Sequence, residues 1–319
     1  MSILVVGSVA LDSVETPKGK RERTLGGACT YFSAAASLYT DVRMVAVVGE
    51  DFDAEHLDFF ASRSIDTSGL QRVPGRTFYW AGRYRENMDE CETLDTQLNV
   101  FADFHPAISA QNAASEYVFL ANIDPDLQIE VLQQMRAPRL TALDSMNFWI
   151  TSKRESLTRA MSLVDLVLFN ESEVRLYTQR QDLLAGAEDI LALGPKAVII
   201  KRGEHGSMLV TRGESVAERY FLVPAFPTDS VIDPTGAGDT FAAGVMGYLA
   251  ETEDLSLRGL RRAVVHGTVV ASFTVQDFSI DQLRRLDREQ IDERYRQFCC
   301  LTYFDSPTHT ECAALSRAL

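Results

Sequence analysis

Asp233-Pro234-Thr235-Gly236-Ala237-Gly238-Asp239-Thr240-Phe241 is the stretch on which the reading of the whole chain turns. The apolar pair Val231-Ile232 leads into it. Beyond it Phe241, Val245, Tyr248 and Leu249 recur at helical spacing, which predicts a helix over about 237–249. Two glycines flank one alanine where that helix begins. A helix start leaves backbone N–H groups unpaired at the positive end of the helix dipole. Small residues let an anion come close to those groups. A carboxylate beside such a hole repels the anion, so Asp239 makes chemical sense if it works on a proton instead. The stretch therefore predicts a transferring phosphoryl group held on the N–H groups of Gly236, Ala237 and Gly238, with Asp239 taking the proton of an attacking hydroxyl. The plainer alternative is a glycine-rich turn before a buried helix, with Asp239 favoured there by the dipole.

The rest of the composition narrows the setting. A chain of 319 residues suits one large α/β domain with an ample core, and 1–319 is read as a single domain. A net charge of −14 argues against nucleic acid and anionic membrane surfaces as partners. An anionic nucleotide would have to be met by local N–H groups, a metal ion and a few cations. No apolar run approaches the roughly 20 residues that span a bilayer. Met1-Ser2-Ile3-Leu4-Val5-Val6 lacks a basic flank and reads as a first strand, not a signal peptide. The five cysteines, Cys29, Cys91, Cys299, Cys300 and Cys312, show no zinc-ligand spacing and are odd in number. A reducing cytoplasm is the expected compartment.

Going along the chain, residues 2–9 form an expected buried strand, and Asp12 follows just past its carboxyl end. In open parallel sheets ligands bind at that edge. Residues 13–25, with Lys18, Lys20, Arg21 and Arg23, read as a solvated loop. Gly26-Gly27-Ala28 then opens a helix rich in small residues. A strand is expected at 42–48, followed by Gly49-Glu50-Asp51 as a turn and helix start. Residues 76–86 and 94–104 alternate in part and read as a β-hairpin standing off the main sheet, joined through the acidic loop Asn87–Glu92. Arg76, Arg83 and Arg85 lie on it, either as exposed strand charges or as phosphate contacts. Strands at 116–121, 139–144, 164–169 and 196–201 alternate with helices near 125–136, 152–163, 171–178 and 182–193. This rhythm implies a mostly parallel sheet covered on both faces. A hairpin at 206–212 and 216–223, turning at Gly213, and helices at about 255–275 and 287–300 complete the chain; the tail after Thr302 has no strong pattern.

Asp-x-Thr-Gly-Ala-Gly-Asp at 233–239 resembles the C-terminal signature of the ribokinase-like (PfkB) carbohydrate kinases. Other stretches resemble family motifs in family order: Asp12, Gly26-Gly27, Asn170-Glu171-Ser172-Glu173, and Lys201-Arg202-Gly203-Glu204-His205-Gly206. The resemblance implies a three-layer αβα sandwich with a mostly parallel sheet and a small β lid formed by 13–25 and 76–104. It implies phosphoryl transfer from ATP, with Mg²⁺, to a hydroxyl of a small sugar or polyol. A nucleoside acceptor is the alternative, hinted at by Pro234. It places Asp12, Gly26, Gly27 and residue 31 on the acceptor side. Asn is usual at that last position and Tyr31 stands here, either as a stacking ring or as core. Lys201, Gly203, Gly206, Thr235, Asn170 and His266 fall on the nucleotide side; for His266 a buried helix histidine is the other reading. Asn170, Glu173 and Asp233 are the implied metal-handling set, although Asn170 and Glu173 fit a helix capping box equally well. Asp233 and Thr235 also match positions that would contribute to a potassium site, while Val275-Gln276-Asp277-Phe278 departs from the loop many members use for it. Lid hairpins in this family often pair two chains, so a homodimer is expected. A catalytically silent ligand-binding regulator on the same fold is a competing reading, which the presence of Asp239 opposes. A dinucleotide oxidoreductase would need Gly-x-Gly-x-x-Gly after the first strand, where Gly7 stands alone.

Overall fold

The computed structural model describes residues 1–88 and 91–303. Thirteen strands follow one another along them. They are β1 (Ser2–Val6), β2 (Ala10–Thr16), β3 (Gly19–Gly26), β4 (Asp41–Val48), β5 (Asp66–Arg72), β6 (Phe78–Tyr84), β7 (Cys91–Gln97), β8 (Tyr117–Leu120), β9 (Leu140–Asp144), β10 (Leu166–Asn170), β11 (Ala197–Lys201), β12 (Ser207–Thr211) and β13 (Tyr220–Val223). Nine build one sheet in the order β13-β12-β11-β10-β9-β8-β1-β4-β5. Every pairing from β11 to β5 is parallel, and β12 and β13 close one edge antiparallel. The other four form a separate sheet, β3-β2-β6-β7.

The alternation of side chains along a strand explains the three layers. In β1, Ile3 and Val5 point into one core with Phe32, Phe241, Val245, Met246 and Val270 from the helices Ala28–Ala36, Ala237–Thr252 and Leu257–Thr274. Leu4 and Val6 point into the other, with Ile129, Leu157, Val174 and Ile190 from the helices on the opposite face. All four β1 residues are fully buried. The apolar run at the start of the chain is thus a two-sided strand at the centre of the sheet.

Several boundaries differ from the sequence expectation. Residues 13–25 are not a loop: they complete the hairpin β2–β3, whose outer strand carries Lys20, Arg21 and Glu22 exposed along a sheet edge. Charge on an edge strand guards against further pairing, and here it hid the strand. The second lid strand ends at Gln97. Beyond it Asn99–Asp103 is a 3₁₀ turn, on which Phe101 and Phe104 stack on each other and Phe101 on Phe78. The i, i+3 spacing of those two phenylalanines matches a 3₁₀ turn. In the expected hairpin at 206–223 the stretch Val216–Arg219 is a short helix, closed by a Ser215/Glu218 capping box, so β13 starts only at Tyr220. Strand β5 and the helices Asn147–Ser152 and Asp281–Arg285 were not expected. Asp89, Glu90, Cys312 and the tail beyond Tyr303 lie outside the described residues.

Asp51 does not cap the helix Ala54–Ser62. It accepts the N–H of Thr77 at 2.6 Å and pairs with Arg23 at 3.0 Å, tying the main sheet to both arms of the lid.

Candidate functional site

The helix Ala237–Thr252 begins with Gly236 in the left-handed region, φ 76°. A side chain there would be strained by its backbone, and its Cβ would also lie 2.3 Å from ring carbons of Tyr31. Tyr31 is fully buried beneath the turn, and its hydroxyl has no hydrogen-bond partner among the described residues. Asp233 clasps the same turn. One of its oxygens accepts the Thr235 N–H at 2.9 Å and the other the Ser279 N–H at 3.2 Å. The Thr235 hydroxyl donates to the Tyr84 hydroxyl of the lid at 3.3 Å. The result is a fixed turn, further closed by the Ala237 N–H, which donates to the Pro234 carbonyl at 3.1 Å, with Asp239 in the first helical turn.

Asp239 is not alone. Burial pushes its carboxyl up to about 7; the carboxylate of Asp144 adds to the rise and Lys201 opposes it. Asp12 is also buried. Burial drives its carboxyl up to about 7, with the Gly27 N–H pulling down and Asp233 and Asp239 pushing up. Its Oδ2 accepts that N–H at 3.3 Å. Gly26 is required beside it, because a Cβ there would sit 1.9 Å from Oδ2. Two acids with shifted affinities for protons therefore face each other across the lid base and the helix start.

On the other side of the helix start lies a cleft of about 550 Å³. Ala237, Gly238 and Phe241 line it from the helix, Lys201, Gly203 and Gly206 from the loop after β11, and Phe226, Thr268 and Val275 from elsewhere. Gly203 and Gly206 both have positive φ, and they bring bare backbone to the cleft wall. The strands that end here are neighbours: β9 ends in Asp144, β10 in Asn170 and β11 in Lys201. Lys201 forms an ion pair with Asp144. Burial works against its charge, yet Asp144, Glu173 and Asp239 outweigh that and hold the ammonium above its usual range.

Asn170 and Glu173 form a capping box at the start of Glu171–Thr178. The Asn170 Oδ1 accepts the Glu173 N–H at 2.8 Å, and Glu173 Oε2 accepts the Asn170 N–H at 2.7 Å. Burial also shifts the Glu173 carboxyl upward, with Lys201 opposing and Asp144 and Asp239 adding.

His266 stands elsewhere. It is buried between the rings of Tyr248 and Tyr295 and bonds the Tyr39 hydroxyl at 3.1 Å. The residues that line the cleft from its helix are Thr268, Ala271 and Ser272. Helical geometry turns residue 266 away from residue 268, so His266 serves packing, and burial depresses it to about 3. On the lid, Arg83 pairs with Glu15 at 3.0 Å, while Arg76 and Arg85 are exposed. Asp144 escaped the sequence reading, although a carboxylate closing the expected strand 139–144 carried the same signal as Asp12.

The model of the pfkB family carbohydrate kinases matches residues 2–282 of this chain. The chain belongs to that family. As a pfkB kinase it is a phosphotransferase acting on hydroxyl groups of small molecules. The cytidine kinase of Thermococcus kodakarensis is 30% identical over 272 residues, which cover 82% of this chain and 95% of that one. A nucleoside kinase of Methanothermobacter thermautotrophicus is 26% identical over 307 residues, 86% of this chain and 89% of the relative. Among solved structures, the Burkholderia thailandensis nucleoside kinase in complex with inosine superposes with a TM-score of 0.73 at 20% identity, covering 92% of this pfkB kinase and 98% of that chain. That likeness shows the ribokinase-type fold.

Proposed function

We propose that this pfkB kinase moves the γ-phosphoryl group of ATP to a hydroxyl of a ribonucleoside, with Asp239 as the general base. One observation carries the chemistry. Asp239 lies in the first turn of a helix whose first residues, Ala237 and Gly238, line a nucleotide-sized cleft on one side, with Asp12 near enough to Asp239 on the other to act on its charge. Asp12 and the N–H of Gly27 hold the acceptor, and the attacking hydroxyl gives its proton to Asp239. The N–H groups of Gly236 and Gly238 take up the charge on the phosphoryl oxygens, while that of Ala237 is held by the Pro234 carbonyl at 3.1 Å. Of the two acceptors expected from the sequence, a sugar or polyol and a nucleoside, the cytidine and nucleoside kinases among the relatives favour the nucleoside.

A magnesium ion is proposed beside the phosphates. Asp144, Glu173 and Asp239 bring three carboxyl groups, all shifted upward by burial, around the ammonium of Lys201, and a divalent cation nearby would favour their ionised forms. Among the described residues no three His, Cys, Asp or Glu side chains converge as a closed metal cage. Magnesium in phosphoryl-transfer sites is held by one or two carboxylates together with phosphates and waters. Glu173, through the oxygen not used in its capping box, is the protein group that would meet those waters. The metal supplies charge neutralisation on the phosphates when bound. Asp233 has both oxygens engaged by backbone N–H groups and acts as the clasp of the turn.

The test is nucleotide consumption with Mg²⁺ over a panel of nucleosides, sugars, polyols and sugar phosphates. Turnover confined to sugars would overturn the nucleoside reading. Asp12→Asn is expected to lower kcat/KM for the acceptor by roughly 10- to 100-fold, the worth of a hydrogen bond to a charged group. Its ATP affinity should be unchanged in calorimetry. We also propose that two copies pair through the lid. β7 is the outer strand of the lid sheet, exposed along its whole length, and Leu94 within it and Leu98 just past its end are both exposed. Light scattering giving a monomer mass at micromolar concentration would refute this.

A further inference from the structure

We infer that Lys201 is the cation that meets the terminal phosphoryl group of the nucleotide, and that Asp144 is the residue that positions it. This rests on the kinase reading above.

The geometry begins with three adjacent strand ends. Lys201 closes β11 and Asp144 closes β9, with β10 between them. The lysine side chain therefore spans the end of β10 to reach its partner. The pair is buried: the Asp144 side chain is 5% exposed and that of Lys201 16%. The small exposed part of Lys201 opens into the cleft, whose lining it joins.

Its ammonium lies against the anion hole. The Cβ that Gly238 lacks would stand 3.3 Å from Nζ. Gly238 supplies one of the N–H groups of the hole, so the charged nitrogen and the N–H groups converge on one place. A side chain at 238 would therefore crowd the ammonium.

The hydrogen-bond inventory of the ammonium points the same way. It carries three N–H donors. Among the described residues its one acceptor is Asp144 Oδ2. A buried cation with uncommitted donors is costly unless something else meets them. A phosphoryl oxygen at the hole would do so.

Charge gives the fourth argument. Asp144, Glu173 and Asp239 all act on Lys201, and each is a carboxylate. Helix N–H groups alone would have to attract a highly charged anion into that field. One ammonium fixed at the hole offsets it locally. Lysine is a flexible point charge on a long stem, so it needs a tether to stay there. Asp144 is that tether, and it acts through Lys201 without touching the nucleotide.

The experiment is calorimetric binding of ADP and of β,γ-imido-ATP, each with Mg²⁺, to wild type, Lys201→Met, Asp144→Asn and the double variant. Thermal unfolding of each is recorded alongside. Wild type should gain affinity from the extra phosphoryl group. Lys201→Met and Asp144→Asn should lose roughly 10- to 100-fold for the imido analogue, the worth of a charge-assisted hydrogen bond, and change little for ADP. The double variant should be no worse than Lys201→Met, because Asp144 acts through that lysine. Asp144→Glu should recover part of the loss. Lys201→Gln replaces Lys201→Met if the latter fails to fold. Equal loss for ADP and the analogue, or independent losses that multiply in the double variant, would overturn the inference and leave the kinase reading standing. Failure of wild type to bind either nucleotide would overturn both.

Discussion

Asp239→Asn is expected to lower turnover by about 10²–10⁴-fold, the usual worth of a positioned general base. Nucleotide affinity should stay close to wild type, because the N–H groups of the turn and the glycine loop after β11 are untouched. A variant that keeps more than roughly a tenth of wild-type turnover would contradict a base of that worth. The pH profile gives a second reading of the same carboxyl. Burial and Asp144 hold it at about 7 in the free protein. A base must be ionised to accept a proton, so kcat/KM should climb with pH up to about that value and then level. The same shift has a sign for stability. A carboxylic acid whose affinity for protons is raised by folding favours the native state at low pH. That advantage fades as pH rises from the ordinary value of 3.8 through about 7. At pH 8 the ionised group strains the fold, and the neutral amide does not. Asp239→Asn should therefore melt higher than wild type at pH 8, and the gap should close toward pH 4. The enzyme gives up stability to keep its base.

Gly236→Ala is the second large effect. The backbone at 236 has φ 76°, and the new methyl carbon would lie 2.3 Å from the Tyr31 ring. Left-handed backbone in a non-glycine residue costs on the order of 1–3 kcal/mol. Forcing a carbon into a packed ring costs about as much again. Tyr31 is fully buried and has no room to retreat. The turn must shift, and the N–H groups of Ala237 and Gly238 must shift with it. Both a lower melting temperature and a large loss of kcat are expected, measured by calorimetry and steady-state assay. Retention of wild-type kcat would show that the turn is not the phosphoryl site.

The strength of the sequence signal followed burial. Strands at the centre of the main sheet are buried on both faces and so appear as apolar runs, Ile3–Val6 in β1, Met44–Val48 in β4 and Leu166–Phe169 in β10. The helix start at 236–239 was visible because its chemistry is local: glycines, a small residue and a carboxylate in a row. What the sequence concealed lies at edges. β3 is exposed over its first five residues, and β5, with the sequence DTSGLQR, has no fully buried residue. Neither shows a hydrophobic pattern because neither buries a face.

The site residues divide along a similar line. Asp12, Gly26 and Gly27 were found by position, and they sit together as expected. The Asp144–Lys201 pair was only half found, since residues far apart in the chain meet only once β9, β10 and β11 are ordered side by side. Tyr31 was left open between stacking and core. Its burial under Gly236 shows it as the floor of the turn. His266 was placed by its neighbourhood in the family pattern. A sequence does not say which way a helix residue faces when apolar residues surround it on both sides.

The position of β1 has a consequence for how the protein comes into being. Leu4 lies beside Arg43 of β4 on one side and Val118 of β8 on the other. Strand β1 is thus flanked by one neighbour made soon after it and one made much later. At synthesis rates of about 5–20 residues per second, its four wholly apolar residues spend seconds with one edge unclaimed. Asp12 waits longer still for the helix that carries Asp239. Nascent chains should expose this strand to chaperones, and the Asp12–Asp239 pairing should be among the last features to form.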